Sequence, residues 1–271
     1  MSTPQYTLIS SIETVSKPEI SIIMPAIRPE RWDKVYDSIV ESTKRTFELI
    51  IVGPYPLTPY LQDKRNVKYV KDYGSPMRAS NIGAMLCEGK LIMWSADDGL
   101  FNKNALDENI DLLYSMPYDV KNVVVAKYVE GEGHTGTDPH GDDYYKLCNA
   151  YPRSPYIPAD WWIFNVAVMY REFFDALGAW NCEFQACPLG HADMAVRAQR
   201  AGSKVVMSNS PMLNCDHMPN GSGDHMPIVI AQLQEDNPVY INLYSKPLES
   251  SPISMNMMNW KNSPMVWKKR F

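Results

Sequence analysis

The feature that most constrains the fold is a regular alternation of short apolar runs and amphipathic helical patterns between residues 20 and 126. From Trp32, apolar side chains recur at i, i+3, i+4, i+7 and i+8, which is the period of a helix with one buried face. Strands that alternate with helices of this length predict crossover connections, and therefore an α/β fold with a mostly parallel central sheet. The apolar runs that fit buried strands lie at 20–24, 47–52, 67–70, 91–94 and 123–126.

The same patterns divide the chain into three parts. Residues 1–19 predict a polar N-terminal arm, and residues 20–225 predict one α/β domain. Residues 226–271, rich in Met, Pro and Trp without a clear period, predict a C-terminal extension. Within the domain, the glycine- and proline-rich stretch 127–160 predicts a long loop over the sheet, and such loops are often functional. The apolar run at 161–170 predicts a further strand.

Composition excludes several classes of protein. Hydrophobic residues make up 45% of the chain, enough for a sizeable core, and the net charge of −5 argues against a protein that coats nucleic acid. No run approaches the roughly 18 apolar residues of a membrane-spanning helix, so we expect no integral membrane segment. The five cysteines form no C-x-x-C pair and the first residues show no secretion signal, so we expect a reduced, cytoplasmic protein.

Two adjacent carboxylates, Asp97 and Asp98, lie just beyond the predicted strand 91–94. Parallel α/β sheets bind their ligands beyond the carboxyl ends of the strands. Neighbouring carboxylates at such a place can hold Mn²⁺ or Mg²⁺, which neutralises charge on a leaving diphosphate. An Asp-Asp-Gly sequence is equally typical of a plain turn, so the pair alone leaves both interpretations open.

The stretch around these carboxylates, GSPMRASNIGAMLCEGKLIMWSADDGLF, resembles the family 2 glycosyltransferases, which have the Rossmann-like GT-A fold. The similarity consists of a helix start with Arg78, Asn81 and Gly83, then Gly89 at the helix end, a strand, and the acidic motif. Residues 20–53 are similar to the first strand, first helix and second strand of that family. The resemblance implies a single GT-A domain.

The resemblance also implies a nucleotide-sugar donor site and a bound Mn²⁺ or Mg²⁺ ion. Two positions depart from the family pattern. Ser95 stands where the family has the first acid of the motif. In the family, an acid after the second strand often recognises the nucleotide base, but here that place is taken by the stretch that begins at Gly53. We therefore expect Asp72 or Tyr73 to recognise the base. The implied donor-side residues are Pro25, Ala26, Arg28, Asp72, Arg78, Asn81 and Asp97, and the implied metal ligands are Asp97, Asp98 and His217.

A second stretch, 178–205, resembles the acceptor side of the same family, with Asp193 and Arg197 at matching positions. An inverting transferase needs a general base for the acceptor hydroxyl, and in the family it usually lies two residues before the position of Asp193, at His191 here. Two helical residues at this spacing point roughly 200° apart, so only one faces the donor. We expect His191 as the base, with a pKa near ~6.5, and Asp193 as the alternative base or an orienting group. If neither is catalytic, His191 caps the helix and Asp193 pairs with Arg197.

These patterns together predict a metal-dependent glycosyltransferase of the hexosyltransferase kind, which moves a sugar from a nucleotide-diphosphate sugar to an acceptor hydroxyl with inversion. The acceptor stays open among a glycan, a lipid, a protein and a modified nucleic-acid base. One alternative is a non-catalytic nucleotide-sugar- or carbohydrate-binding protein of the same fold, and the change at Ser95 favours it weakly. The other is a sugar nucleotidyltransferase, although PAIRPER at 25–31 lacks the glycines of its phosphate loop.

The tail at 255–271 combines tryptophans with basic residues. This composition is consistent with peripheral contact to a membrane, with acceptor binding, or with packing on the domain.

Overall fold

The computed structural model describes residues 7–10, 17–149, 152–216 and 226–247. Within them, nine strands form one sheet. The strands are β1 (Thr7–Ser10), β2 (Ile20–Pro25), β3 (Phe47–Gly53), β4 (Val67–Lys71), β5 (Leu91–Trp94), β6 (Gly99–Phe101), β7 (Val123–Glu130), β8 (Ala167–Tyr170) and β9 (Val205–Cys215). The helices are α1 (Pro29–Ser42), α2 (Pro59–Gln62), α3 (Pro76–Met85), α4 (Ala105–Ser115), α5 (Arg171–Ala176), α6 (Cys187–Arg200), α7 (Met226–Ala231) and α8 (Asn237–Tyr244).

The strand order is β1-β4-β3-β2-β5-β8-β7-β9-β6. β2 pairs in parallel with β3 and β5, β3 pairs in parallel with β4, and β7 pairs in parallel with β9. β8 is antiparallel to both of its neighbours, and β1 and β6 are antiparallel strands at the two edges. Six of the nine described strands therefore share one direction, which confirms the predicted mostly parallel α/β sheet.

The sequence patterns explain why these elements form. β5 is fully buried, as expected for a continuous apolar run in a sheet covered on both faces. α1 begins at a proline and buries Trp32, Val35, Tyr36 and Ile39 of the predicted stripe, whereas Val40, at its i+8 position, is 48% exposed. The Ser75 hydroxyl caps α3 by accepting a hydrogen bond from the Arg78 N–H at 3.2 Å. The carboxyl ends of β2, β3, β4 and β5 meet at one edge of the sheet, so the turns that follow them lie side by side.

Three segments add to or correct the sequence predictions. The run 161–170 is a strand only from Ala167, because the carbonyls of Phe164 and Asn165 accept hydrogen bonds from the Trp94 indole at 3.2 and 2.9 Å. The predicted arm contributes β1 to the sheet. The described part of the predicted extension, 226–247, forms α7, a π-helical turn and α8. No helix in the described part of the chain is long and apolar enough to cross a bilayer.

Candidate active site

The carboxylate of Asp97 ties the turn after β5 to the turn after β2. Its Oδ2 accepts hydrogen bonds from the backbone N–H groups of Ile27 and Arg28, at 2.7 and 2.6 Å, and from the Trp32 indole at 3.2 Å. Its Oδ1 is ion-paired with the Arg28 guanidinium. Burial raises the pKa of Asp97, although the Arg28 charge and the N–H donors oppose this rise. Both carboxylate oxygens of Asp97 therefore serve to hold the start of α1.

Asp98 has a different environment from its neighbour. It lines a cavity beside the sheet edge, and its Oδ2 lies 4.0 Å from Arg28 NH1. The Asp98 carbonyl accepts a hydrogen bond from the Asp216 N–H at 2.8 Å and lies 3.0 Å from His134 Nε2. Asp216 is itself ion-paired with Arg31 at 2.6 Å. Arg28 and Arg31, at the start of α1, therefore pair with aspartates from two segments that are distant in sequence, the turn after β5 and the end of β9.

Asp72 and Arg78 form a buried ion pair behind this edge. Arg78 Nε lies 2.8 Å from Asp72 Oδ2, and Arg78 NH2 lies 2.8 Å from Oδ1, so the guanidinium binds both oxygens. Asn81 is placed elsewhere, since its Nδ2 donates to the Trp180 carbonyl at 3.2 Å and its Oδ1 accepts from the Trp180 N–H at 3.3 Å. Asn81 therefore holds the segment that precedes α6 and does not lie with the other predicted donor-side residues.

Pro25 and Ala26 end β2 directly beside the end of β3. The Ala26 N–H donates to the Val52 carbonyl at 2.9 Å. A Cβ atom at Gly53 would lie only 1.8 Å from the Ala26 carbonyl oxygen. The two backbones therefore approach too closely at Gly53 for any side chain there.

His191 and Asp193 lie on different sides of α6. His191 lines the same cavity as Asp98, with its ring 5.5 Å from the Trp94 ring, and its buried Nε2 has no hydrogen-bond partner among the described residues. Burial lowers the pKa of His191 to about 3, well below the ~6.5 expected from the sequence, so its imidazole is neutral near pH 7. Asp193 is fully buried and ion-paired with Arg197, whose Nε lies 2.9 Å from Oδ2. Only His191 of the two borders open space.

The cavity has a volume of about 610 Å³ and joins the strand-end turn to α6 and to the long loop. Ala96 and Asp98 form its floor on the sheet side, and Cys187 and His191 border it from α6. Its remaining lining comes from Tyr128, Glu130, Asp143, Tyr144, Lys146, Asn149, Ile163, Asn165, Val166, Pro188, Leu189, Cys215 and Gln232. Two predicted site residues, Asp98 and His191, thus meet in one space.

The fit of the predicted metal ion differs between the two aspartates. Asp97 fits poorly, because a cation would have to displace the Arg28 guanidinium and three N–H donors from its oxygens. Asp98 fits better, since it borders the cavity. The predicted third ligand, His217, lies outside the described residues, as does the tail at 255–271. Among the described residues, no group of three or more His, Cys, Asp or Glu side chains is arranged to hold a metal ion.

The sequence did not single out several residues that shape this site. Arg31 and Asp216 were not predicted as site residues, although Asp216 precedes the predicted ligand at 217 and so carried a signal. Glu130 and the tyrosines of the long loop carried no motif that would have marked them as cavity residues. Glu130 lies at the end of β7, and Tyr145 is held beside that strand by the hydrogen bond from its hydroxyl to the Tyr128 carbonyl.

No family model matches this sequence, and no curated protein matches it. Solved structures match the fold. A structure of S. aureus TarS residues 1–349 in complex with UDP-GlcNAc superposes with a TM-score of 0.55 at 15% identity, over 90% of this chain and 73% of that chain. Longer S. aureus TarS superposes with a TM-score of 0.53 at 16% identity, over 91% of this chain and 46% of that one.

The same TarS fragment in complex with UDP gives a TM-score of 0.50 at 17% identity, over 85% of this chain and 70% of that one. Likeness at this level of identity concerns the fold. The chain is thus a GT-A-like α/β protein with its sheet flanked by helices.

Proposed function

We propose that this chain is a nucleotide-sugar-dependent glycosyltransferase that transfers a sugar to an acceptor hydroxyl. The observation that carries the proposal is the cavity at the carboxyl edge of a GT-A-like sheet, where Asp98 and His191 line one space. The fold neighbours were solved with UDP and with UDP-GlcNAc, and this supports a uridine nucleotide sugar as the first donor to test.

The donor side would be organised by the start of α1. Asp97 holds the backbone of Ile27 and Arg28, and its pairing fixes the Arg28 guanidinium at the edge where a diphosphate would lie. Arg31 adds a second guanidinium one helical turn later. Arginine suits this task because its planar fork binds phosphate oxygens with two hydrogen bonds. Asp98, with His217, would hold Mn²⁺ or Mg²⁺, which when bound neutralises charge on the leaving diphosphate.

On the acceptor side, we assign the general base to His191. Its neutral imidazole would take the proton of the acceptor hydroxyl while that oxygen bonds to the anomeric carbon and the bond to the diphosphate breaks. A single displacement of this kind inverts the anomeric configuration. We assign Asp193 a structural role in α6, because both of its carboxylate oxygens accept hydrogen bonds from buried side chains, those of Arg197 and Tyr244.

The same environment of His191 also supports a second candidate, a non-catalytic binding protein of this fold. An imidazole whose pKa is lowered to about 3 is a weak base, and a weak base abstracts a hydroxyl proton less effectively. Hydrolysis or transfer of the bound sugar would exclude this candidate.

A thermal-shift panel of UDP-, GDP- and dTDP-sugars, each with and without Mn²⁺, tests the proposal. One member should raise the melting temperature, since a ligand at 100 times its Kd adds about 2.7 kcal/mol to the free energy of unfolding. Release of the free sugar, followed by ³¹P NMR of the nucleoside diphosphate, then separates an enzyme from a binding protein. A panel in which no nucleotide sugar shifts the melting temperature contradicts both.

A further inference from the structure

Part of the cavity lining is aromatic: Tyr128, on β7, and Tyr144 line the cavity, and His140 and Tyr145 pack against them. Tyr144 is 45% exposed and lines the cavity, and His140 stacks on its ring with 3.8 Å between the ring centroids and 17° between the planes. Tyr128 meets Tyr144 edge-on at 6.2 Å, and buried Tyr145 meets both rings edge-on at 5.5 and 5.3 Å. We call these four residues, 128, 140, 144 and 145, the aromatic wall.

Hydrogen bonds hold the aromatic wall in place. His140 Nε2 lies 2.7 Å from a Glu130 carboxylate oxygen, and the Tyr145 hydroxyl donates to the Tyr128 carbonyl at 3.1 Å. The Asn165 amide donates to the Tyr128 hydroxyl at 2.9 Å. The rings are therefore set before any ligand arrives, and such preorganisation lowers the entropic cost of binding.

The charged residues that line the cavity near these rings are mostly acidic. Asp98, Glu130 and Asp143 line the cavity, and among its lining residues Lys146 alone is basic. The Lys146 ammonium lies 3.1 Å from the Trp162 ring centroid and donates to the Asp160 carbonyl at 3.2 Å, so its charge is used within the loop. Away from Arg28 and Arg31, where the donor diphosphate is proposed to lie, an anionic group would meet net negative charge, while a ligand rich in hydroxyl groups would meet carboxylate and amide groups.

We propose that the aromatic wall is an acceptor subsite that binds an uncharged saccharide ring. This inference rests on the proposed glycosyltransferase function and names its acceptor class. A pyranose has an apolar C–H face that packs on an aromatic ring and a rim of hydroxyls that hydrogen-bond to carboxylates and amides. The cavity volume of about 610 Å³ lies within the range of about 300–1,000 Å³ for small-molecule sites. His191, the proposed base, lines the same cavity.

The test is binding of the full chain to a glycan array that carries neutral and sialylated oligosaccharides, with a dT8 oligonucleotide as a separate arm. The strongest neutral glycan is then titrated by saturation-transfer NMR into wild type and Tyr144→Ala, with unfolding checked by circular dichroism. We expect neutral glycans to bind, and Tyr144→Ala to weaken the binding at least tenfold. Tyr144→Phe, which keeps the ring, and Tyr118→Ala, which removes a 74% exposed tyrosine outside the cavity lining, should stay within threefold of wild type.

Preferred binding of sialylated glycans or of dT8, no glycan binding at all, or equal binding by Tyr144→Ala would each overturn the inference. The donor panel on the wild-type chain keeps the two proposals apart. If a nucleotide sugar binds and no neutral glycan does, the acceptor class is wrong and the donor site stands. If no nucleotide sugar binds, the glycosyltransferase proposal itself fails.

Discussion

The Tyr244 hydroxyl donates a hydrogen bond of 2.7 Å to Oδ1 of Asp193, which lies 51 positions earlier in the chain. Both residues are fully buried, and the other Asp193 oxygen is bound by Arg197 Nε at 2.9 Å. Burial and the neighbouring Asp193 charge raise the pKa of Tyr244 well above its ordinary value, so the phenol stays a donor. α8 is thereby locked to α6, the helix that carries His191.

Tyr244→Phe should reduce the free energy of unfolding by about 1.5–3 kcal/mol, the usual contribution of a hydrogen bond to a charged group. Urea denaturation followed by tryptophan fluorescence measures this loss. The matched control is Tyr118→Phe at a 74% exposed position, which should change the stability by less than about 0.5 kcal/mol. Equal stability of the two variants would mean that the Tyr244–Asp193 bond contributes nothing to the packing of α8.

Replacing His191 by Ala should lower kcat by a factor on the order of 10²–10⁴, because the acceptor proton loses its base. Donor Kd should change little, because we assign His191 to the acceptor and not to the donor. With a pKa lowered to about 3, the imidazole stays neutral from pH 5 to 8, so turnover should show no limb near pH 6.5. A His191→Ala enzyme with near-normal turnover, beside an inactive but folded Asp193→Asn, would return the role of base to the aspartate.

Stability should fall as the pH drops below about 6.5. The pKa of His191 is about 3 in the folded state and about 6.5 when unfolded, so between these values the unfolded chain binds more protons, and acid favours unfolding. Between pH 7 and pH 5 this group should cost about 2 kcal/mol of the free energy of unfolding. Denaturation curves of wild type and His191→Phe at both pH values isolate the contribution of His191 to the free energy of unfolding, since both proteins share the other titrating groups. Identical pH slopes would show that His191 is not buried in its neutral form.

Asp97→Asn and Asp98→Asn should fail in different ways. Asp97→Asn breaks a buried pair with Arg28 and should reduce stability by about 3–5 kcal/mol. Asp98→Asn should leave stability within about 1 kcal/mol and weaken Mn²⁺ binding in the presence of UDP, measured by electron paramagnetic resonance. If Asp97→Asn folds as stably as wild type and loses Mn²⁺ affinity as much as Asp98→Asn, then Asp97 is a metal ligand after all.

Gly53→Ala should be destabilising, because its Cβ would lie 1.8 Å from the backbone oxygen of Ala26. Neither β2 nor β3 can move away without losing inter-strand hydrogen bonds. We expect a loss of about 1–3 kcal/mol, as for other overpacked sites. Gly141→Ala is the control, since a Cβ there meets no atom within 4 Å and the residue has an ordinary φ of −62°. Comparable melting temperatures for the two variants would contradict the close approach of β2 and β3.

The sequence by itself determined the elements of the sheet edge. Apolar runs and the stripe from Trp32 predict the positions of the buried strands β2, β3, β4 and β5 and of the helix α1. They can do so because the period of apolar residues that marks each element lies within that element's own sequence. It also placed Asp98 and His191 among the candidate residues. The order of the strands and the position of α8 carried no such local signal.

The tertiary structure alone decided which candidates meet in one site. Asp97 and Asp98 are neighbours with the same side chain, yet one faces Ile27, 70 positions away, and the other lines the cavity. His191 and Asp193 share a helix, and their roles differ because one side of that helix packs on Tyr244. These contacts depend on strand order and on the path of the long loop, which no local period encodes. The partners that the fold brings to each side chain, rather than residue type alone, therefore distinguish these groups.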